Sequence, residues 1–428
     1  MARWNTIARG AALAAAASLA LAACSSDDGG SEEDPTTGAE SGSEGGSTDP
    51  LKIGTLLPLT GSLAFLGPPE VAGVELAAQE INEAGGVLGN PVEITQGDSS
   101  DTQNTQIASQ TVTDLLSDGV SAIVGAASSA VTLNVVDDIV AAEVVQISPA
   151  NTATTLSGYS DYYFRVAPPD TVQGNALAQL MLDDGHENIG VLVFNEDYGI
   201  SLRDVIKDTV EAAGGTITYG NPGEEFDPAA TNFQAEVDAV LATDPDAIAL
   251  IAFDQTTQIL DPLITGGLDA ANLYMTDGNT ADYNGKVADG LIEGAQGTIP
   301  GANPDDDFKA LLDEVHGEPL DSYAYGAESY DSTMLVALAA VRGGGTDGPT
   351  IQANLRSVSG SDGGTECSSF AECVELLEAG EDIAFQTVGG SGPLNEQNDP
   401  SSAYIGVYSY DANNTQNWVE AVFGEVPS

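Results

Sequence analysis

Short apolar runs and longer amphipathic runs alternate along the chain from residue 51 onward. Residues 51–57 read as a β-strand. Residues 68–84 read as a helix with Pro68 and Pro69 in its first turn, where a missing N–H costs nothing. Strands over 92–96, 121–125 and 144–147 then alternate with helices over 102–117 and 130–142. A second series follows, with helices over 171–184, 200–213 and 232–242 and strands over 189–194, 216–219, 247–251 and 272–275. Strands alternating with helices predict an α/β protein whose parallel sheets are covered on both faces. The two series part near residues 162–169, where an extended run ends in Pro168-Pro169. Two doubly wound lobes around a cleft are therefore expected. The alternative is one long sheet, but about ten strands is a lot for a single open sheet. Ligands of doubly wound sheets bind at the carboxyl ends of the strands.

Ahead of this pattern, residues 1–9 are short and basic, and residues 10–23 are an unbroken Ala/Leu-rich stretch. That order is a secretory signal. The stretch is shorter than the roughly 20 residues a spanning helix needs. It ends in Leu21-Ala22-Ala23-Cys24, which resembles a bacterial lipobox and makes Cys24 the expected lipidation site. A plain Ala-rich signal with a chance cysteine is the alternative. Residues 24–50 are almost all small, polar or acidic and bury no core, so they are expected to form a disordered acidic tether.

Charge narrows the partners. The chain has 66 Asp and Glu against 10 Lys and Arg, a net charge of -56. Displacing the counterions of DNA or RNA takes Lys and Arg, so nucleic acid is excluded as a partner. An anionic lipid surface is repelled too, leaving the anchor as the only membrane contact. So acidic a coat resembles proteins of salt-rich surroundings, where screening shortens repulsion to a few Å; a merely acidic secreted protein is the alternative.

Two histidines, His186 and His316, leave little for histidine chemistry or metal binding. Neither the Asp305-Asp306-Asp307 run nor Asp411-Ala412-Asn413-Asn414 matches a full calcium loop, and both read as solvated surface. There is no Gly-x-Ser-x-Gly elbow, so no nucleophilic enzyme is expected. No metal and no cofactor is predicted. Besides Cys24 the only cysteines are Cys367 and Cys373. In an oxidising compartment they suggest a local disulfide, with two reduced buried thiols as the alternative. Cys367 precedes a helix expected to begin near Ser369.

Several segments come in a telling order. Leu56-Leu57-Pro58-Leu59-Thr60-Gly61 is followed by Gln79-Glu80-Ile81-Asn82-Glu83-Ala84-Gly85-Gly86, then Asp98-Ser99-Ser100-Asp101-Thr102. Ile123-Val124-Gly125-Ala126-Ala127-Ser128-Ser129, Ile147-Ser148-Pro149-Ala150-Asn151-Thr152, Asp197-Tyr198-Gly199 and Gly392-Pro393-Leu394 complete the succession. This succession resembles the leucine/isoleucine/valine-binding protein family. The resemblance implies the type I periplasmic-binding-protein fold, with lobe one at 51–168 and 300–400 and lobe two at 169–299 and 401–425. It also implies a monomeric extracytoplasmic lipoprotein that closes a hinged cleft on an amino acid and passes it to the permease of an ABC importer.

By the same resemblance Ser129, Ala150 and Thr152 receive the ligand's α-carboxylate. The physics agrees, because 125–129 runs from a strand end into a helix N-terminus, whose free N–H groups favour an anion. Ser128 or Ser129 as a simple N-cap is the competing reading. Tyr198 matches the position that meets the ligand on closure. Asp277 matches the acid that pairs with its ammonium, although many members have the longer Glu there. Phe65, Leu66 and Phe253 form the expected apolar lining, which suits an aliphatic side chain; each also reads as ordinary packing. Two other readings stay open: a ligand-sensing receptor module, and the same receptor for amides, urea-like molecules or aromatic carboxylates.

Overall fold

A computed structural model of the chain describes residues 49–426. The expected signal at 1–23, Cys24 and nearly all of the 24–50 tether lie outside the described residues. Gly45–Ser428 form one compact unit. Its hydrophobic clusters draw on residues from Leu51 onward, so it carries its own core, which is what lets a unit fold alone.

The first sheet holds β1 (Lys52–Leu56), β2 (Glu93–Thr95), β3 (Ala122–Gly125), β4 (Val145–Ser148) and β5 (Tyr163–Arg165), in the order β2-β1-β3-β4-β5. All its pairings are parallel, and Ile53 lies opposite both Ile94 and Ala122. Every residue of β3 and β4 is buried, as expected for strands covered on both faces. Helices α1 (Gly67–Glu83), α2 (Thr105–Asp118) and α3 (Ser129–Ala141) make the crossovers. The chain then passes into α4 (Asp170–Asp183) and a second sheet.

That sheet contains β6 (Asn188–Val193), β7 (Thr216–Tyr219), β8 (Ala247–Ile251), β9 (Leu273–Met275) and β10 (Gln296–Pro300). Helices α5 (Asp197–Ala212), α6 (Gln234–Leu241) and α7 (Thr256–Thr265) connect its earlier strands. After β10 the chain returns to the first sheet as α8 (Asp306–His316), α9 (Gly326–Gly343), α10 (Gly348–Val358) and α11 (Phe370–Glu378), with a small ladder of β11 (Thr365–Cys367) and β12 (Ile383–Phe385). It crosses again to add β13 (Ser402–Tyr410) and β14 (Gln416–Glu425), giving the order β14-β13-β10-β9-β8-β6-β7. These last two strands run antiparallel, so the second sheet is mixed rather than purely parallel. Each sheet with its helices is called a lobe below.

The return helix α9 is central to lobe one. It is buried on all sides from Gly326 to Ala340 and packs on α1 and α10. A Cβ on Gly73 of α1 would fall 2.1 Å from the Gly326 carbonyl oxygen, so glycine is what lets these two helices meet. A helix buried all round, with Glu328 and Asp331 among its buried residues, carries no one-sided apolar stripe.

Local chemistry sets the element ends. Helix 102–117 begins as a 3₁₀ turn, Thr102–Asn104, because Asp101 accepts the N–H groups of Gln103 and Asn104. Helix 200–213 starts earlier than its pattern indicates, at Asp197, which puts Tyr198 in its first turn. Asp305 caps α8 by accepting the Phe308 N–H at 2.8 Å. Asp411 accepts the Asn413 and Thr415 N–H groups in the turn between β13 and β14. Cys367 and Cys373 are joined, with Cα atoms 5.3 Å apart, at the point where Ser369 caps α11.

Candidate functional site

The carboxyl ends of the strands of both lobes face each other across a narrow cavity. Its free volume is about 20 Å³, close to the room one water needs. From lobe one come Leu63 and Leu66 after β1, Ala127, Ser128 and Ser129 after β3, Ala150, Asn151 and Thr152 after β4, and Tyr325 just before α9. From lobe two come Tyr198, Phe253, Asp277 and Gly278, after β6, β8 and β9.

Ser128 and Ser129 divide the two roles foreseen for them. Ser128 is the N-cap of α3, its Oγ accepting the Val131 N–H at 3.3 Å. Ser129 Oγ accepts the N–H groups of Thr152 and Ala153 at 3.2 and 3.1 Å, tying the loop after β4 to the start of α3. A serine hydroxyl has two acceptor sites and one donor, so the Ser129 O–H is left to donate to a further acceptor. Thr152 Oγ1 is buried without a well-formed hydrogen bond, beside the Asp170 carboxyl. The Ala150 N–H goes to Ser148 Oγ at 3.3 Å. Asn151 is held from beneath, donating to Ala126 O and Thr132 Oγ1 and accepting from Tyr163.

Opposite this donor-rich wall stands Asp277. Its Oδ1 accepts from the Tyr198 phenol and its Oδ2 from the Tyr325 phenol, both at 2.7 Å. The Tyr198 ring stacks on Phe253, with centroids 5.7 Å apart and planes 13° from parallel. Burial pushes the Asp277 carboxyl above the usual carboxylate range, against the pull of the two phenols. No Lys or Arg ion-pairs with it among the described residues.

The chain belongs to the periplasmic binding protein family.

The model of that family matches residues 50–373. The chain is 26% identical over 381 residues to the chemotactic signal transduction system substrate-binding protein BasB of Halobacterium salinarum, covering 83% of this chain and 86% of that one. It is 25% identical over 318 residues to the leucine-, isoleucine-, valine-, threonine-, and alanine-binding protein of Pseudomonas aeruginosa, covering 73% and 83%. The leucine binding protein LivK of Thermotoga maritima shares the fold, with a TM-score of 0.71, 21% identity, and 87% and 98% of the two chains covered. LivJ of Streptococcus pneumoniae, solved with isoleucine, gives 0.71, 22%, 88% and 99%. These are solute-binding proteins of extracytoplasmic type. Among the described residues, no helix is long and apolar enough to cross a membrane, and no group of His, Cys, Asp and Glu is arranged to hold a metal ion.

Within this family frame one expected lining residue moves. Phe65 faces an outer groove beside Pro68, Pro69 and Asp282 instead of the cavity. The segment after Gly61 is a tight turn in which the Leu66 N–H reaches the Leu63 carbonyl. Residues three apart share a face of such a turn, so Leu63 and Leu66 point inward together and Phe65 points away.

Two functional groups escaped the sequence reading. Tyr325 is one, since it reaches Asp277 from 48 residues away. Asp170 is the other: it opens α4 right after Pro168-Pro169, fully buried, with both carboxylate oxygens lacking a well-formed hydrogen bond. Burial pushes its carboxyl up to about 7, opposed by the nearby Ser201 and Thr152 hydroxyls, and Asp277 raises it further. An acid placed at a buried helix start, with no base beside it in sequence, was the available signal.

Several hydrogen bonds bridge the lobes around this site. Tyr325 to Asp277 is one, and the Thr154 N–H to Ser201 Oγ at 2.9 Å is another. Thr102 to Glu196 is a third, at the mouth, where burial pushes the Glu196 carboxyl up to about 7. Chemically the cavity offers hydroxyl groups on one wall, the Asp277 carboxyl without a paired base on the other, and apolar side chains between.

Proposed function

We propose that the chain is the solute receptor of an ABC importer, anchored outside the cell membrane through a lipidated Cys24 and capturing a free amino acid with a small aliphatic side chain. The observation that carries this reading is the position of Asp277, a buried carboxyl without a counter-charge, opposite Ser129 and Thr152 across one cavity, with Asp170 buried against the Thr152 backbone. A buried carboxylate without a counter-charge is costly, and a ligand ammonium would supply one to Asp277. The Ser129 O–H and the α3 N-terminus suit the ligand's carboxylate. Leu63, Leu66 and Phe253 suit an aliphatic side chain, as do the ligands in the names of the Pseudomonas and Thermotoga proteins.

The lobes, 51–168 with 300–400 and 169–299 with 401–425, would turn about their three crossings. A ligand bound better by the closed form shifts the population towards it. The receptor would work as a monomer, without cofactor, and present both lobes to a permease. A second reading, presentation of the ligand to a sensor, is favoured by the chemotactic role in the name of BasB, which matches 83% of the chain.

Calorimetric titration of Gly45–Ser428 with leucine, isoleucine, valine and alanine tests the ligand class. Binding of at least one of them is expected, weakened about a hundredfold or more by Asp277→Asn, in line with the loss of a buried charge pair. Binding only of amides or aromatic carboxylates would discard the ammonium role. Cell fractionation tests the anchor, since Cys24→Ala should move the protein from the membrane to the soluble fraction.

A further inference from the structure

A second cavity, of about 240 Å³, lies on the hinge side of Tyr325 and shares that residue with the cleft. Its walls come from both lobes and from the crossing segment 300–304. Two rings of lobe two form a corner in it: Tyr408 and Trp418 stand 5.5 Å apart with their planes at 83°. From lobe one, Glu328 lines it while only 4% exposed.

Glu328 is a carboxyl that the described chain leaves without a cation. No Lys or Arg ion-pairs with it among the described residues, and burial, with Asp331 nearby, pushes it up to about 8 against the pull of its own backbone N–H. It is crowded by two glycines: a Cβ on Gly301 would fall 2.2 Å from its Oε1, and one on Gly389 2.7 Å away. Buried next to it, Glu70 has no partner on either carboxylate oxygen, and its charge repels that of Glu328. Gln416 adds a further unpartnered acceptor, Oε1, to the cavity wall. Lys309 also lines the cavity, but its ammonium is engaged by two other wall residues, donating to Asn303 Oδ1 at 2.7 Å and standing 5.6 Å from the centre of the Tyr323 ring.

Apart from the engaged Lys309, the cavity thus presents acceptors and aromatic rings. Ring faces attract a cation whose charge is spread over methyl groups, and a buried carboxylate then neutralises it. We propose that this cavity is a second ligand site, for a small alkylated ammonium cation seated between the Tyr408–Trp418 corner and Glu328. Because the corner belongs to lobe two and Glu328 to lobe one, the occupant touches both lobes beside the hinge.

Gly45–Ser428 contains a single tryptophan, Trp418, since Trp4 is the only other one in the chain. Its fluorescence is titrated with tetramethylammonium chloride, total ionic strength being held constant with sodium chloride. A saturable change is expected, with its midpoint shifted at least tenfold to higher concentration in Glu328→Gln and in Tyr408→Leu. Should Glu328→Gln fail to fold, the Tyr408→Leu midpoint decides alone. Absence of a saturable change, or an unshifted midpoint in the folded variants, overturns the assignment. So does a signal abolished by Asp277→Asn but not by Glu328→Gln, which would put the probe in the cleft.

Discussion

The Tyr325 phenol donates to Asp277 Oδ2 at 2.7 Å, joining the residue that precedes a lobe-one helix to the end of a lobe-two strand. Tyr325 has a left-handed backbone, φ 61°, which is uncommon for a bulky residue and turns the ring towards the cleft. The same carboxylate oxygens are those a ligand ammonium would use, so the phenol both latches the lobes and stands in the ligand's place.

Removing that phenol should therefore loosen the closed form. A hydrogen bond to a charged group contributes about 1.5–3 kcal/mol, so Tyr325→Phe is expected to lower the closed-to-open ratio by roughly ten- to a hundredfold. Small-angle X-ray scattering without ligand should give a larger radius of gyration for the variant. An unchanged radius would mean that the Ser201 and Glu196 bridges hold the lobes by themselves.

How much of this was legible in the sequence depended on periodicity. From β1 to β9 the alternation of apolar runs and amphipathic stretches marks almost every element, because each strand or helix shows a different environment on each side or a run buried outright. The return helix α9 broke that logic: small and apolar residues surround it, and its close approach to Gly73 is visible only in three dimensions. Of the site, the Ser129, Thr152, Tyr198 and Asp277 positions came from an ordered set of motifs. Tyr325 sits in a loop with no motif of its own, and Asp170 is one carboxylate among 66 acids. Phe65 and Leu66 are neighbours in sequence, but only the turn's geometry separates the inward one from the outward one.

Arg165 and Asp399 form an ion pair at 2.5 Å with exposures of 0% and 1%. It ties the end of β5 to the segment that crosses back towards β13. Arg165 also donates to the Ala153 carbonyl and to Ser157. Taking away one member leaves the other charge buried, at a cost of about 3–5 kcal/mol. Arg165→Met is expected to lower the urea midpoint accordingly, and a midpoint equal to the parent's would show that the pair adds nothing net.

Buried acids make stability depend on pH in an unusual direction. Asp170 and Asp331 are pushed up to about 7, and Glu328 to about 8, all by burial. Unfolded, such groups titrate near 4. Between about pH 4 and pH 8 the folded chain thus holds more protons than the unfolded one, so stability falls as pH rises. The melting temperature should be highest in mild acid and decline by several degrees towards pH 8. Glu70→Gln, which replaces another buried carboxyl raised by burial, should flatten the decline. A melting temperature that rises steadily from pH 5 to pH 8 would contradict this balance.

Salt acts on the exposed acids instead. With 66 acidic residues and 10 basic ones, the surface repels itself at every range that solvent leaves unscreened. The screening length shrinks from about 30 Å at 0.01 M salt to about 3 Å at 1 M, so repulsion across the surface is largely removed over that interval. The melting temperature of Gly45–Ser428 should rise by several degrees between those concentrations of sodium chloride at fixed pH. Potassium chloride should act equally, because screening depends on ionic strength rather than on a bound ion. A melting temperature that does not move would remove the case for a chain built for saline surroundings. A rise with one cation alone would point to specific binding in place of screening.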